Sequence, residues 1–278
     1  MSLTGGVGVG LQKSKGDAVS QFAQTDGFVN FAVTEDLGGG MKVSASQQIA
    51  QNGRGGPVNA EDTVLSFGGG FGTLKYQNIN AGSNMVGTLV SLPKDVNYAL
   101  GGDAHLTHLS YTAPAYNGVT MSVASYQNKG VGTSSTLDTD SLFASKKYAT
   151  AYKASYAQGP ITGALEYRQH DGRTRVWGGY DFGMVKIDAA TELSYKDNAK
   201  KKQSAIALVV PLSAITLGLH YGQKGNDKGT EAAAVYALSK RTNINLSYGN
   251  LTRVSADGGN GVGPFKGTST RARLLHTF

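Results

Sequence analysis

Apolar and polar residues alternate with period two along almost the whole chain, which is the pattern of half-buried β-strands. Residues 215–222 read Ile, Thr, Leu, Gly, Leu, His, Tyr and Gly, so that the larger apolar side chains share one face. Residues 27–35, 185–195 and 243–248 alternate in the same way, whereas series with helical spacing are scarce. We count about sixteen segments of this kind, each of about ten residues.

The connections between these segments alternate between long and short along the chain. The long class comprises residues 13–24, 50–61, 81–102, 128–146, 196–203, 223–229 and 252–266, with a brief member at 170–173. The short class comprises residues 35–40, 67–72, 113–118, 157–160, 182–183, 211–214 and 238–242. This order predicts sixteen antiparallel strands with both termini on the short-turn side. It is typical of an all-β transmembrane β-barrel of the bacterial outer membrane, with short periplasmic turns and longer external loops. A soluble β-sandwich needs only about seven to nine strands.

Composition narrows the class of protein further. Charged residues make up 16% of the 278 residues, against about 25% in an average soluble protein. The chain has no cysteine, which excludes disulfides, thiolate zinc sites and cysteine nucleophiles. The longest apolar run covers residues 205–212, far short of the roughly 20 residues that a membrane-spanning helix needs.

The termini and the tyrosines also fit an exported barrel. The N-terminus has no basic segment followed by an apolar one. We expect an exported barrel, and its signal peptide would then be absent from this chain. No linker divides the chain, and we expect residues 1–278 to form a single barrel. Tyrosines near the predicted strand ends suit an interfacial aromatic girdle: Tyr111, Tyr156, Tyr167, Tyr180, Tyr195, Tyr221, Tyr236 and Tyr248.

Several stretches resemble the Gram-negative general porin family, in particular its betaproteobacterial branch. They are SLTGGVGVGLQ, EDLGGGMKVSASQQIA, TVLSFGGGFGTLKYQN, YTAPAYNGVTMSVASY, YALSKRTNINLSYGN and the terminal phenylalanine that follows His276. The usual TLYG opening of the first strand is missing. The resemblance implies a homotrimer and a non-enzymatic channel. It also implies that the third long loop folds into the lumen and narrows it.

In this sequence the third long loop is residues 81–102, which we expect to form the constriction. It carries one cation, Lys94, and one anion, Asp95. At about 22 residues it is the longest connection, and connections of that length are commonly functional.

Strand phase assigns charged side chains to the wall of the lumen, because the apolar set of each strand faces lipid. A Lys or Arg at mid-depth on the lipid face would cost about 2–4 kcal/mol. The predicted lumen cations are Lys42, Lys75, Lys153, Arg168, Arg175, Lys186, Arg271 and Arg273, against the anions Glu166, Asp188 and Glu192. Lys42, Lys75, Arg271 and Arg273 lie near the seam where the barrel closes, so they are predicted to form one basic wall.

An excess of fixed cations favours anions in the lumen. We therefore expect a weakly anion-selective, water-filled pore for passive diffusion of small hydrophilic solutes, with no enzymatic activity, cofactor or metal. Two alternatives keep the barrel: a channel selective for one anion, and a plugged structural or adhesive protein. A soluble all-β binding protein is a third alternative.

Expected partners are outer-membrane lipid and lipopolysaccharide, whose phosphates the lysines of residues 199–203 would contact. The cations are dispersed, so no nucleic acid is expected.

Overall fold

The computed structural model describes residues 1–15, 17–50, 58–82, 103–127, 148–169, 172–194, 202–252 and 267–278. Sixteen β-strands make up the regular secondary structure of these ranges. No helix within them has the length and apolar character needed to cross a membrane. The strands are β1 Ser2–Ser14, β2 Gln21–Gly38, β3 Met41–Ala50, β4 Asn59–Gly69, β5 Gly72–Gly82, β6 Asp103–Thr112, β7 Val119–Gln127, β8 Tyr148–Gln158, β9 Ile161–Arg168, β10 Arg173–Asp181, β11 Lys186–Ser194, β12 Gln203–Leu212, β13 Ile215–Lys224, β14 Asp227–Ala237, β15 Thr242–Leu251 and β16 Gly267–Thr277.

Each strand pairs antiparallel with its neighbours in the chain, and β1 also pairs with β16, so the sheet closes into a barrel. The closing register runs from Gly6 opposite Thr277 to Ser14 opposite Ser269. Gly5 and Phe278 extend it by exchanging two backbone hydrogen bonds of 3.0 Å each. Closure removes the strand edges whose unpaired N–H and C=O groups would be costly in lipid. The predicted sixteen-stranded antiparallel barrel is confirmed.

The connections alternate in length as predicted, except that the connection between β13 and β14 is short. At one end of the barrel the strands are joined by short turns, of which the widest is residues 113–118 between β6 and β7. Both termini lie at this short-turn end, because β1 begins at Ser2 and β16 ends at Thr277. Wide connections such as those between β5 and β6 and between β7 and β8 lie at the opposite, long-loop end.

Two connections at the long-loop end are tighter than the sequence prediction. The predicted long connection 223–229 is wrong, because β13 continues to Lys224 and β14 starts at Asp227. Gly225 turns the chain there with φ 61°, a left-handed conformation that glycine adopts without strain. The predicted connection 13–24 also shortens, because β1 and β2 extend their ladder to Gln12 opposite Gln21. In both places polar residues that look like loop in the sequence continue the strands.

The barrel wall is apolar outside and polar inside. On β13, Leu219 is 57% exposed on the outer face, whereas the next residue, His220, is 4% exposed on the inner face. On β15, Leu246 is 52% exposed between the buried Asn245 and Ser247. The apolar residues buried in the described ranges are alanines together with a single leucine. Such an outer surface is stable only against lipid or another apolar partner, and the polar side chains are directed inward.

Candidate functional site

A cluster of ion pairs lines the inner face of β9, β10 and β11 toward the long-loop end. Arg168 Nε lies 2.8 Å from Glu166 Oε1 on the same strand. Glu192 Oε1 lies 3.0 Å from Arg175 Nε and 3.5 Å from Arg173 Nε, and the Glu192 side chain is completely buried. The other Glu192 oxygen accepts a hydrogen bond from the backbone N–H of Gln203 at 3.1 Å. Arg173 and Arg175 therefore join β10 to β11 through one shared carboxylate.

A second polar network lies where β1, β2 and β16 meet. Arg271 donates from Nε and Nη2 to Gln12 Oε1 at 3.1 and 2.9 Å. Arg273 Nη1 lies 2.6 Å from Asp26 Oδ2, and the Arg273 side chain is 2% exposed. Both arginines are thus bound across the closing seam and are shielded from water.

Two lysines of the inner face have a different environment. Lys42 on β3 is exposed, and its register partners are Asp36 and Gly68. Lys75 on β5 is partly exposed and lies in register between Ser66 and Ser110. Neither lysine has an ion pair with a carboxylate in the described part of the chain. Their charges therefore face water more directly than those of the arginines.

Lys153 and Lys186 are intermediate cases. The Nζ atom of Lys153 lies 5.0 Å from the ring centroid of Trp177, on the inner face of β10. Lys186 Nζ lies 3.4 Å from Asp188 Oδ2, and the Lys186 side chain is 28% exposed. Both lysines are partly exposed on the inner face.

The inner face holds charged residues that the sequence analysis did not assign. The sequence pattern places Arg173 in a connection, but this residue is the first of β10 and is buried. The acids Asp26, Asp36 and Glu231 occupy inward positions by register. These three acids outnumber the one additional arginine, so the excess of inward cations is smaller than eight against three once they are included. The alternation of Glu231 with Thr230 and Ala232 is the sequence signal that could have assigned Glu231 to the inner face.

The two predicted constriction residues, Lys94 and Asp95, lie outside the described residues, as does nearly all of the predicted loop 81–102. Of that range, Ala81 and Gly82 belong to β5 and pair with β6. The lysine tract at 199–203 is described only from Lys202 onward.

A family model described as Gram-negative porin matches residues 1–256 of the chain. The chain belongs to the Gram-negative porin family. The resemblance carried by its strand and turn motifs is confirmed, and a porin of this kind is an outer-membrane channel.

Solved porin structures share the fold of this porin over its whole length. A mutant of the Rhodobacter blastica porin has a TM-score of 0.69 at 13% identity, covering 100% of this chain and 99% of that chain. OmpT of Vibrio cholerae, an outer-membrane protein described in its trimer form, has a TM-score of 0.71 at 10% identity, covering 100% and 98%. At such identities the likeness shows the fold alone. No curated protein sequence matches this porin.

The only tryptophan of this porin provides a test of which face points inward. We expect acrylamide in water to quench Trp177 fluorescence and brominated acyl chains in the surrounding lipid to leave it unchanged, because Trp177 faces the interior. The matched control is Trp177→Phe with Leu219→Trp, which moves the tryptophan to the outer wall. That control should show the opposite preference. Quenching of wild-type Trp177 by the brominated lipid would contradict the assignment of faces.

Proposed function

We propose that this porin forms a water-filled channel for passive diffusion of small hydrophilic solutes and ions. The observation that carries the proposal is the inverted polarity of the closed barrel, with leucines outside and hydrogen-bonded polar side chains inside. A polar, hydrated interior lowers the free energy of a solute that would otherwise cross hydrocarbon. The side chains described above serve ion pairing and hydration, and we propose no catalytic role for them.

We further propose that the channel is weakly anion-selective, and that lysines rather than arginines set this preference. Arg173 and Arg175 are almost completely buried and share Glu192, and the buried Arg273 lies against Asp26, so much of their field is compensated locally. Lys42 and Lys75 keep contact with water and are not compensated in this way. Ion selectivity in a wide pore depends on charges that the permeating ion approaches within about a Debye length, roughly 8 Å at physiological ionic strength.

We propose that residues 1–278 work as one barrel, with residues 81–102 as the constriction loop and Lys94 and Asp95 as its charges. We also propose a homotrimer, which the trimer form of the OmpT structure supports. Lipid and lipopolysaccharide of the outer membrane are its proposed surroundings.

One observation favours the alternative of a plugged barrel. The inward side chains of β10 to β14 and of β16 are mostly buried, among them Gln203, His220 and Glu231. The inward side chains of β3 to β8 are mostly partly exposed or exposed. A partly filled barrel would confine the water path to the β3–β8 wall, and a completely filled one would conduct nothing.

A liposome-swelling assay tests the channel directly. Vesicles that contain the refolded porin should swell in isotonic solutions of small neutral sugars, at rates that fall as solute size rises. Vesicles without protein provide the baseline. Folded protein that gives no swelling would overturn the diffusion channel and support the plugged barrel.

A further inference from the structure

Trp177 presents an aromatic ring to the interior in the middle of β10. Its register partners on β9 and β11 are Ala164 and Ala190, and Gly179 follows it on the same face of β10. These neighbours carry at most a methyl group, so they leave space beside the indole. Trp177 is partly exposed, whereas Arg175 on the same face is 3% exposed. The indole is therefore an apolar surface that solutes in the interior can reach.

An ammonium group lies close to this ring. Lys153 Nζ is 5.0 Å from the centroid of the Trp177 ring, within the range of a cation–π contact. The register places Ser122 and Glu166 beside Lys153, but the Glu166 carboxylate lies 2.8 Å from Arg168 Nε. In the part of the chain that the structure describes, Lys153 has no ion pair with a carboxylate. We call this ring and this ammonium group the Trp177–Lys153 site.

The charges on either side of the site favour an anion. Toward the short-turn end, Lys186 Nζ and Asp188 Oδ2 lie 3.4 Å apart and compensate each other. Toward the long-loop end, the single carboxylate of Glu192 is shared by the guanidinium groups of Arg173 and Arg175. Among the described residues, cations therefore outnumber anions around the ring, and a negative solute is stabilised there.

We propose that the Trp177–Lys153 site binds small aromatic carboxylates as they pass through the lumen. The ring of such a solute stacks on the indole, and its carboxylate accepts a charge-assisted hydrogen bond from the ammonium group. The flexible stem of lysine lets that group turn from the indole toward the carboxylate. An aliphatic acid would use only the ammonium group, and a neutral aromatic only the indole. The proposal names a solute class for the anion-favouring channel and rests on that proposed function.

The fluorescence of Trp177 tests the proposal, because this is the only tryptophan in the chain and its emission reports on this site alone. The folded, full-length porin in a mild detergent is titrated with benzoate, with acetate and with benzyl alcohol. We expect benzoate to change the emission in a saturable way. Acetate, which lacks the ring, and benzyl alcohol, which lacks the charge, should bind at least about fivefold more weakly.

Two variants remove one half of the site each. Lys153→Gln keeps the tryptophan and should weaken benzoate binding about fivefold in the same titration. Trp177→Leu should weaken it by a similar factor of about five, measured by ligand-observed NMR of benzoate. The matched control is Lys228→Gln, which removes an exposed lysine from the outer face of β14 and should bind benzoate as wild type does. Gel mobility of unheated samples verifies that each variant is folded.

Three results would overturn the proposal. They are the absence of saturable benzoate binding, equal affinity of the wild type and the Lys153→Gln variant, and a stronger response to glucose than to benzoate. The last result would assign the ring to neutral sugars. Both readouts are taken in detergent and do not depend on conduction. Liposome swelling without benzoate binding would therefore contradict the site alone, and benzoate binding without swelling would contradict the channel alone.

Discussion

Lys42→Glu combined with Lys75→Glu is expected to turn a weakly anion-selective channel into a cation-selective one. Both lysines lie on the inner face, on β3 and β5, and neither has an ion pair with a carboxylate among the described residues. The double variant changes the wall charge by four units where water reaches it. We expect the ratio of anion to cation permeability to fall at least about threefold at low salt, and less at high salt. The measurement is the reversal potential under a salt gradient.

The matched control for this variant changes the same charge on the outer wall, by Lys13→Glu with Lys228→Glu. Both residues are exposed, and each is followed by a buried residue that faces inward, Ser14 and Gly229. The control should keep the wild-type permeability ratio. Equal shifts in both double variants, or none in the first, would show that the two inward lysines do not set the ion preference.

Glu192→Gln is expected to cause the largest loss of stability among single substitutions of the inner wall. Its buried carboxylate lies within 3.5 Å of two guanidinium groups, Arg173 and Arg175, and accepts a backbone hydrogen bond from Gln203. Removing the negative partner of a buried ion pair typically costs about 3–5 kcal/mol, because the remaining charge stays desolvated. The free energy of unfolding by urea in lipid vesicles should fall by about this amount.

The control for this variant is Glu35→Gln, because Glu35 is exposed near the short-turn end of β2. Its free energy of unfolding should stay within about 0.5 kcal/mol of wild type. A Glu192→Gln variant as stable as this control would contradict the prediction. It would mean that the negative charge of Glu192 does not stabilise the buried arginines of β10.

The strand number and the facing of most strands could be predicted from the sequence because each strand carries its own period-two pattern. The alternation of Leu219 with His220 is local information, and the barrel places the two side chains on opposite faces. The register likewise places Arg271 and Arg273 opposite Ser247 and Asn245 on the inner face. Apolar side chains face the lipid outside and polar side chains face the water inside. Each strand therefore shows this alternation in its own sequence.

The partners of the charged residues could not be predicted, because they depend on register between strands that are distant in sequence. Asp26 meets Arg273 across the closing seam, 247 positions away in the chain. A β-bulge shifts the register between Gly8 and Val9, and it places Asp26 rather than Thr25 opposite Gly8. Likewise, alternation assigns Arg175 to the inner face but does not reveal that Glu192 binds and buries it. The division between paired arginines and water-facing lysines therefore emerges only from the three-dimensional structure.

Single-channel recording of the refolded porin in a planar bilayer, with the reversal potential taken under a salt gradient, tests whether the barrel is a water-filled channel. We expect stepwise insertions of a conducting channel and a reversal potential that favours anions modestly. A cation-favouring potential would contradict the role of Lys42 and Lys75 while leaving the channel in place. Absence of conductance steps from protein shown to be folded would contradict the water-filled channel itself.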